Sequence, residues 1–98
     1  MGEVPRYYSD AFEVVGNPWG LTIKFSRRTP TAGPPSPPEE LVHIDMSWEH
    51  AKTMTYILWR YIRETEHSMG VSHELPLRVL SDLRIGKEDW DNFWRPSA

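Results

Sequence analysis

Val42, Ile44 and Met46 alternate with Leu41, His43 and Asp45 in "ELVHIDM", and Leu21, Ile23 and Phe25 alternate with Thr22, Lys24 and Ser26 earlier in the chain. A period of two is the signature of a half-buried β-strand. Phe12, Val14 and Val15 begin another strand, and Gly16-Asn17-Pro18 supplies a break, because a residue before proline is pushed out of helical geometry. "AFEVVGNPWGLTIKFSRR" therefore predicts a hairpin, and "ELVHIDM" a third strand.

Past Met46 the period lengthens to that of a helix. Ser47 falls at the N-cap, where its hydroxyl accepts a backbone N–H of the first turn. Glu49 suits the positive end of the helix dipole, and Gly70 is the natural stop. Trp48, Ala51, Met54, Thr55, Ile57, Leu58, Trp59, Tyr61, Ile62, Thr65 and Met69 spread over an arc of roughly 200°. Lys52, Tyr56, Arg60, Arg63, Glu64 and His67 fill the rest. One sheet face needs a stripe of only about 100°. The surplus predicts a helix that packs against two bodies, the second being the chain's own C-terminal segment or the same helix of another copy. A helix of about 22 residues spans about 33 Å, more than the width of three short strands.

Beyond Gly70, "ELPLRVLSDLRIG" predicts a short helix with Leu77, Leu80 and Leu83 spaced by three, started near Pro76 and ended by Gly86. "KEDWDNFW" puts Trp90, Phe93 and Trp94 on one face of a further helical turn. Three such rings bury several hundred Å², worth several kcal/mol at about 25 cal/mol per Å². The expected fold is α+β: an antiparallel sheet of three to four strands, made of the hairpin plus the third strand, backed by one long helix, with one or two short C-terminal helices. All 98 residues are expected to form a single domain, with a C-terminal helical extension over residues 71–98.

Residues 29–38, "TPTAGPPSPP", hold five of the nine prolines and no charge, a loop of extended geometry between ordered elements. It reads as a spacer, or as a docking peptide for an aromatic-lined groove. Composition adds limits: 39% hydrophobic, 26% charged, net charge -3, five Trp and no Cys. A chain this short has a thin core, which favours help from a partner. The lack of Cys removes thiolate catalysis, disulfides and cysteine-ligated zinc. There is no run of roughly 18 apolar residues for a membrane span, and "MGEVPRYYSD" lacks the apolar core of a signal peptide, so no membrane association and a cytoplasmic location are expected.

The candidate chemistry is thin. His43, Asp45, Glu49 and His50 crowd the strand-to-helix corner without a familiar ligand spacing, and Glu64-x-x-His67 lacks the second inward-facing copy that carboxylate-bridged metal sites use. No Ser sits in a Gly-x-Ser-x-Gly elbow, and the Gly residues form no phosphate-cradling loop. The expectation is no catalytic residue, no metal and no cofactor. Two binding readings remain. The leading one is a non-enzymatic protein-interaction module, homodimeric, whose interface comprises Trp48, Ile57, Trp59, Tyr61, Ile62, Trp90, Phe93 and Trp94. The alternative is single-stranded nucleic-acid binding through Tyr7, Trp19, Lys24, Arg27 and Arg28, a basic-aromatic face that stacks bases. Acidic net charge opposes it.

"RYYSDAFEVVGNPWGLTIKF" followed by "VHIDMSWEHAKTMTYIL" resembles the small prokaryotic proteins of domain of unknown function family 3467. The resemblance rests on Tyr8, Ser9 and Asp10, on Pro18 and Trp19, and above all on Met46, Ser47, His50, Ala51 and Lys52. It covers about residues 5–70. The proline-rich loop departs from the usual connection, and Trp48 stands where Pro is common. The resemblance implies the same sheet-plus-helix fold and no assigned activity, with Ser47, His50, Ala51 and Lys52 as the family motif.

Overall fold

The structure is a computed structural model that describes residues 2–28, 33 and 36–95. Most of the proline-rich loop lies outside the described residues, so its reading as spacer or docking peptide does too. The elements are β1 (Ala11–Asn17), β2 (Gly20–Arg27), β3 (Glu39–Met46), α1 (Trp48–Met69), α2 (Leu77–Asp82) and α3 (Lys87–Trp94). The architecture is α+β, as the periodicities predict: three antiparallel strands among the described residues, a long helix and two short C-terminal helices. The chain divides into two compact units, with the boundary inside α1 after Thr53.

In the first unit the strands lie in the order β1-β2-β3. The register sets Phe12 beside Phe25 and Val42, Val14 beside Ile23 and Ile44, and Gly16 beside Leu21 and Met46. Facing partners in a ladder share a face, so these positions make one apolar surface. Glu13, Lys24 and His43 fall on the other, with Thr22 and Asp45. Leu21 is 6% exposed and Ile23 is buried too, whereas Phe12 on the outer strand is 71% exposed.

The hairpin turn is Pro18-Trp19, one step later than the Gly16-Asn17-Pro18 break read from the sequence. Gly16 and Asn17 remain in β1 because the Asn17 side chain caps the turn, its Oδ1 accepting the N–H groups of Trp19 at 2.8 Å and Gly20 at 3.0 Å. A Cβ on Gly20 would run into the Met46 carbonyl, so glycine there is a condition of β2 meeting β3. In β3 the pairing skips Leu41, since Ser26 faces Glu40 and Phe25 faces Val42. This bulge carries an extra residue that a strict period of two does not register. At the far end, the Ser9 hydroxyl lies 2.8 Å from the Ala11 carbonyl and 2.7 Å from that of Ser26, and Asp10 Oδ1 accepts the Arg28 N–H at 2.7 Å.

α1 begins and ends where the sequence places it. Ser47 Oγ accepts the His50 N–H at 3.1 Å, the N-cap bond to the third helical residue. Gly70 takes φ 67°, with Gly70 N–H on the His67 carbonyl and Val71 N–H on that of Glu66. This is a complete Schellman motif. α2 ends earlier than Gly86. Its last turn closes through Arg84, at φ 59°, with Ile85 N–H on the Leu80 carbonyl at 2.8 Å. A non-glycine residue in this position costs about 1 kcal/mol, so the Gly86 stop signal misled by two residues. Gly86 instead precedes α3 and accepts the Trp90 N–H at 2.9 Å.

Candidate interaction surfaces

The strand-to-helix corner resolves into structural bonds. Asp45 accepts a hydrogen bond from the Thr22 hydroxyl, and His43 Nε2 stands 3.6 Å from Glu40 Oε1. Ser47 caps the helix, and His50 takes the cap through its backbone, leaving its side chain exposed. Lys52 is exposed as well. Among the described residues no three His, Cys, Asp or Glu side chains converge as a metal-binding group.

Trp48 fastens the first helical turn to the hairpin. Its Nε1–H donates to the Asn17 carbonyl at 2.9 Å, and its ring packs so closely on Gly16 that a Cβ there would stand 3.0 Å away. The ring is thus both a wall of the apolar sheet face and a lock on the corner. Sequence periodicity assigns Trp48 to a helix face and misses this second role, because the contact depends on which strand residue lacks a side chain.

In the second unit the side of α1 carrying Trp59, Arg63 and Glu66 is half-buried. Arg63 lies over the Trp59 ring at 4.6 Å, and Arg60 over Tyr56 at 5.5 Å. α3 contributes a stack in which Trp94 meets Trp90 at 5.8 Å and Phe93 edge-on at 4.9 Å. Among the described residues of this unit Leu80, only 2% exposed, is the fully buried side chain. Trp59 and Trp94 also face a cleft of about 450 Å³ whose rim includes Arg63, His67 and Val71.

Two carboxylates brace this cluster. Glu66 Oε2 accepts the His73 N–H at 2.6 Å and lies 3.1 Å from His73 Nδ1. Glu74 accepts the Ser72 hydroxyl at 2.6 Å and the Trp90 indole N–H at 2.9 Å. The Ser72 bond, then the Trp90 bond, hold the Glu74 carboxyl below its ordinary pKa, with a small contribution from Lys87. No periodicity announces these loop-mediated contacts; the one sequence hint is the Ser72-His73-Glu74 run of local hydrogen-bonding side chains.

The eight expected interface residues therefore divide. Trp59, Trp90 and Trp94 are half-buried within their own unit, and Trp48 is tied to the hairpin. Ile57, Tyr61, Ile62 and Phe93 are exposed, Tyr61 to 70%. Leu58 and Met69 are exposed too and share the helix face of Ile57, Tyr61 and Ile62, an arc of about 140°.

The residues of the nucleic-acid alternative are spread along the sheet. Trp19, 88% exposed, stands at the turn, while Arg27 and Arg28 lie at the opposite end of β2, roughly 30 Å away at the rise of a strand. Tyr7 precedes Ser9, at the arginine end. Arg27 pairs with Glu39 at 3.0 Å, and Lys24 faces Glu13 and His43. No helix among the described residues is long and apolar enough to cross a membrane. Comparison of the chain with models of known families, with curated proteins and with solved structures finds no match.

Proposed function

We propose that the chain is a non-enzymatic protein-interaction module that binds a second copy of itself through the exposed apolar face of α1. The observation that carries this is the row Ile57, Leu58, Tyr61, Ile62 and Met69, each exposed on a helix of 22 residues with no buried side chain. Ser68 and the half-buried Thr65 interrupt this face, yet so much exposed apolar side chain on one side of a helix is costly in water and marks an interaction site. Membership of the domain of unknown function family 3467, prokaryotic origin and action in the cytoplasm belong to the same reading. The resemblance behind the family assignment rests in part on Ser9, Asp10 and Ser47, each of which makes a structural hydrogen bond.

Light scattering of the native chain at tens of micromolar tests this reading, with Tyr61→Glu/Ile62→Glu as the variant. Dimeric mass for the native chain and monomeric mass for the variant support it. A monomeric native chain removes the homodimer. Nucleic-acid binding, by contrast, requires bases to bridge Trp19 and the distant arginines, and the Arg27–Glu39 pair neutralises one of those charges.

A further inference from the structure

The sheet has two edges with opposite character. β3 is guarded: two prolines precede it, Glu39, Glu40, His43 and Asp45 line it, and the Leu41 bulge interrupts its ladder. Charges, prolines and bulges are the usual means by which an edge strand is kept from pairing with another chain. β1 carries fewer of them, with Asp10 and Pro18 only at its flanks. Its seven residues, "AFEVVGN", contain no proline and one charge, and its ladder to β2 is regular throughout. Glu13, Val14, Val15, Gly16 and Asn17 are all exposed, as is Phe12. Among the described residues no strand lies beyond Phe12 and Val14 in the sheet order, and Pro37 and Pro38 line a hollow with Ala11, Phe12 and Glu13 at one end of β1.

The geometry points to β1 pairing antiparallel with β1 of a second copy, centred on Val14, so that two three-stranded sheets join into one of six strands. The strand is complementary to itself in that register. Val14 faces Val14 of the partner copy, and Phe12 faces Gly16, which keeps the apolar face continuous across the joint. Glu13 faces Val15, so the single charge of each strand meets an apolar residue and no like charges oppose. The space over Gly16 is already filled by the Trp48 ring, so Phe12 of the partner copy would come beside Trp48. A twofold joint of this kind is closed and consumes the β1 edge of both copies, leaving the charged β3 edges outermost. An unrelated extended peptide lacks the requirement for this register. The inference rests on the homodimer half of the reading above and names where the second copy joins the sheet.

Because the chain has no Cys, single cysteines report the register directly. Directly opposed residues have Cα atoms about 4.5–5.5 Å apart, within disulfide reach, whereas residues two steps out of register do not. Val14→Cys is expected to give a covalent dimer under mild oxidation. Glu13→Cys and Val15→Cys are each expected to remain monomeric on a non-reducing gel and to cross-link when mixed. All three positions are exposed, and far-ultraviolet circular dichroism confirms that each variant keeps the fold. Equal cross-linking of all three chains alone overturns the register. A native dimer in light scattering whose Val14→Cys variant does not cross-link overturns the β1 joint while leaving the α1 face standing. A β1 strand that pairs only with an added extended peptide overturns it in favour of that partner.

Discussion

In the sheet unit, Leu21 and Ile23 are buried by neighbours directly across two ladders; among the described residues of the helical unit, Leu80 is the fully buried side chain and the surrounding order comes from stacked rings and carboxylate-to-loop bonds. The sheet side is held by a repeating pattern, so many residues contribute similar small amounts. The helical side depends on a few specific contacts. Regular pairing tolerates local change, whereas a small cluster braced by polar bonds fails when one member is removed.

Truncating the central side chain of each unit breaks the comparison most directly. Leu80→Ala and Leu21→Ala are each expected to cost about 2–5 kcal/mol, the range for large-to-small changes at buried sites. The expected difference lies in what is lost: Leu80→Ala should abolish protection of α2 and α3 amides in hydrogen exchange while leaving β1 to β3 protected, and Leu21→Ala should do the reverse. Loss of both sets together in either variant would show that the units unfold as one. A smaller effect is expected at the junction. Ser47→Ala removes the N-cap and should lower thermal stability by about 1 kcal/mol, with fraying confined to the first turn of α1.

The smallest effect is a pH dependence peculiar to the helical unit. The Glu74 pKa is depressed, so the bonds to Ser72 and Trp90 contribute fully above the ordinary carboxylate range and are lost as the pH falls through the lowered value. Trp90 fluorescence is expected to change on acidification in the native chain, and Glu74→Gln should remove that part of the titration. A titration unchanged in the variant would assign the transition to another carboxylate.

Much of the architecture was legible along the chain. Strict alternation marked β2 and β3, and the Ser47 and Gly70 caps bounded α1, because these signals depend on neighbours within a few residues. The Leu41 bulge and the Arg84 stop were not legible. The bulge is set by the pairing of β3 with β2, and the Arg84 stop is a left-handed residue without the glycine that would announce it. The candidate site divides along the same line. Tyr61 and Ile62 could be assigned to an apolar helix face by periodicity, yet Trp48, Trp90 and Glu74 acquired their roles from Asn17, Gly16 and Ser72.

By itself the sequence determined the order and type of the elements, the polarity of each strand face, and the width of the apolar arc on α1, since all of these follow from residue spacing. Only the tertiary structure decided which strand became the less guarded edge, which tryptophans turned inward, and which carboxylates braced the C-terminal cluster. Those outcomes depend on the register between distant segments, and a repeating pattern of polarity is compatible with more than one register until packing and hydrogen bonds select among them.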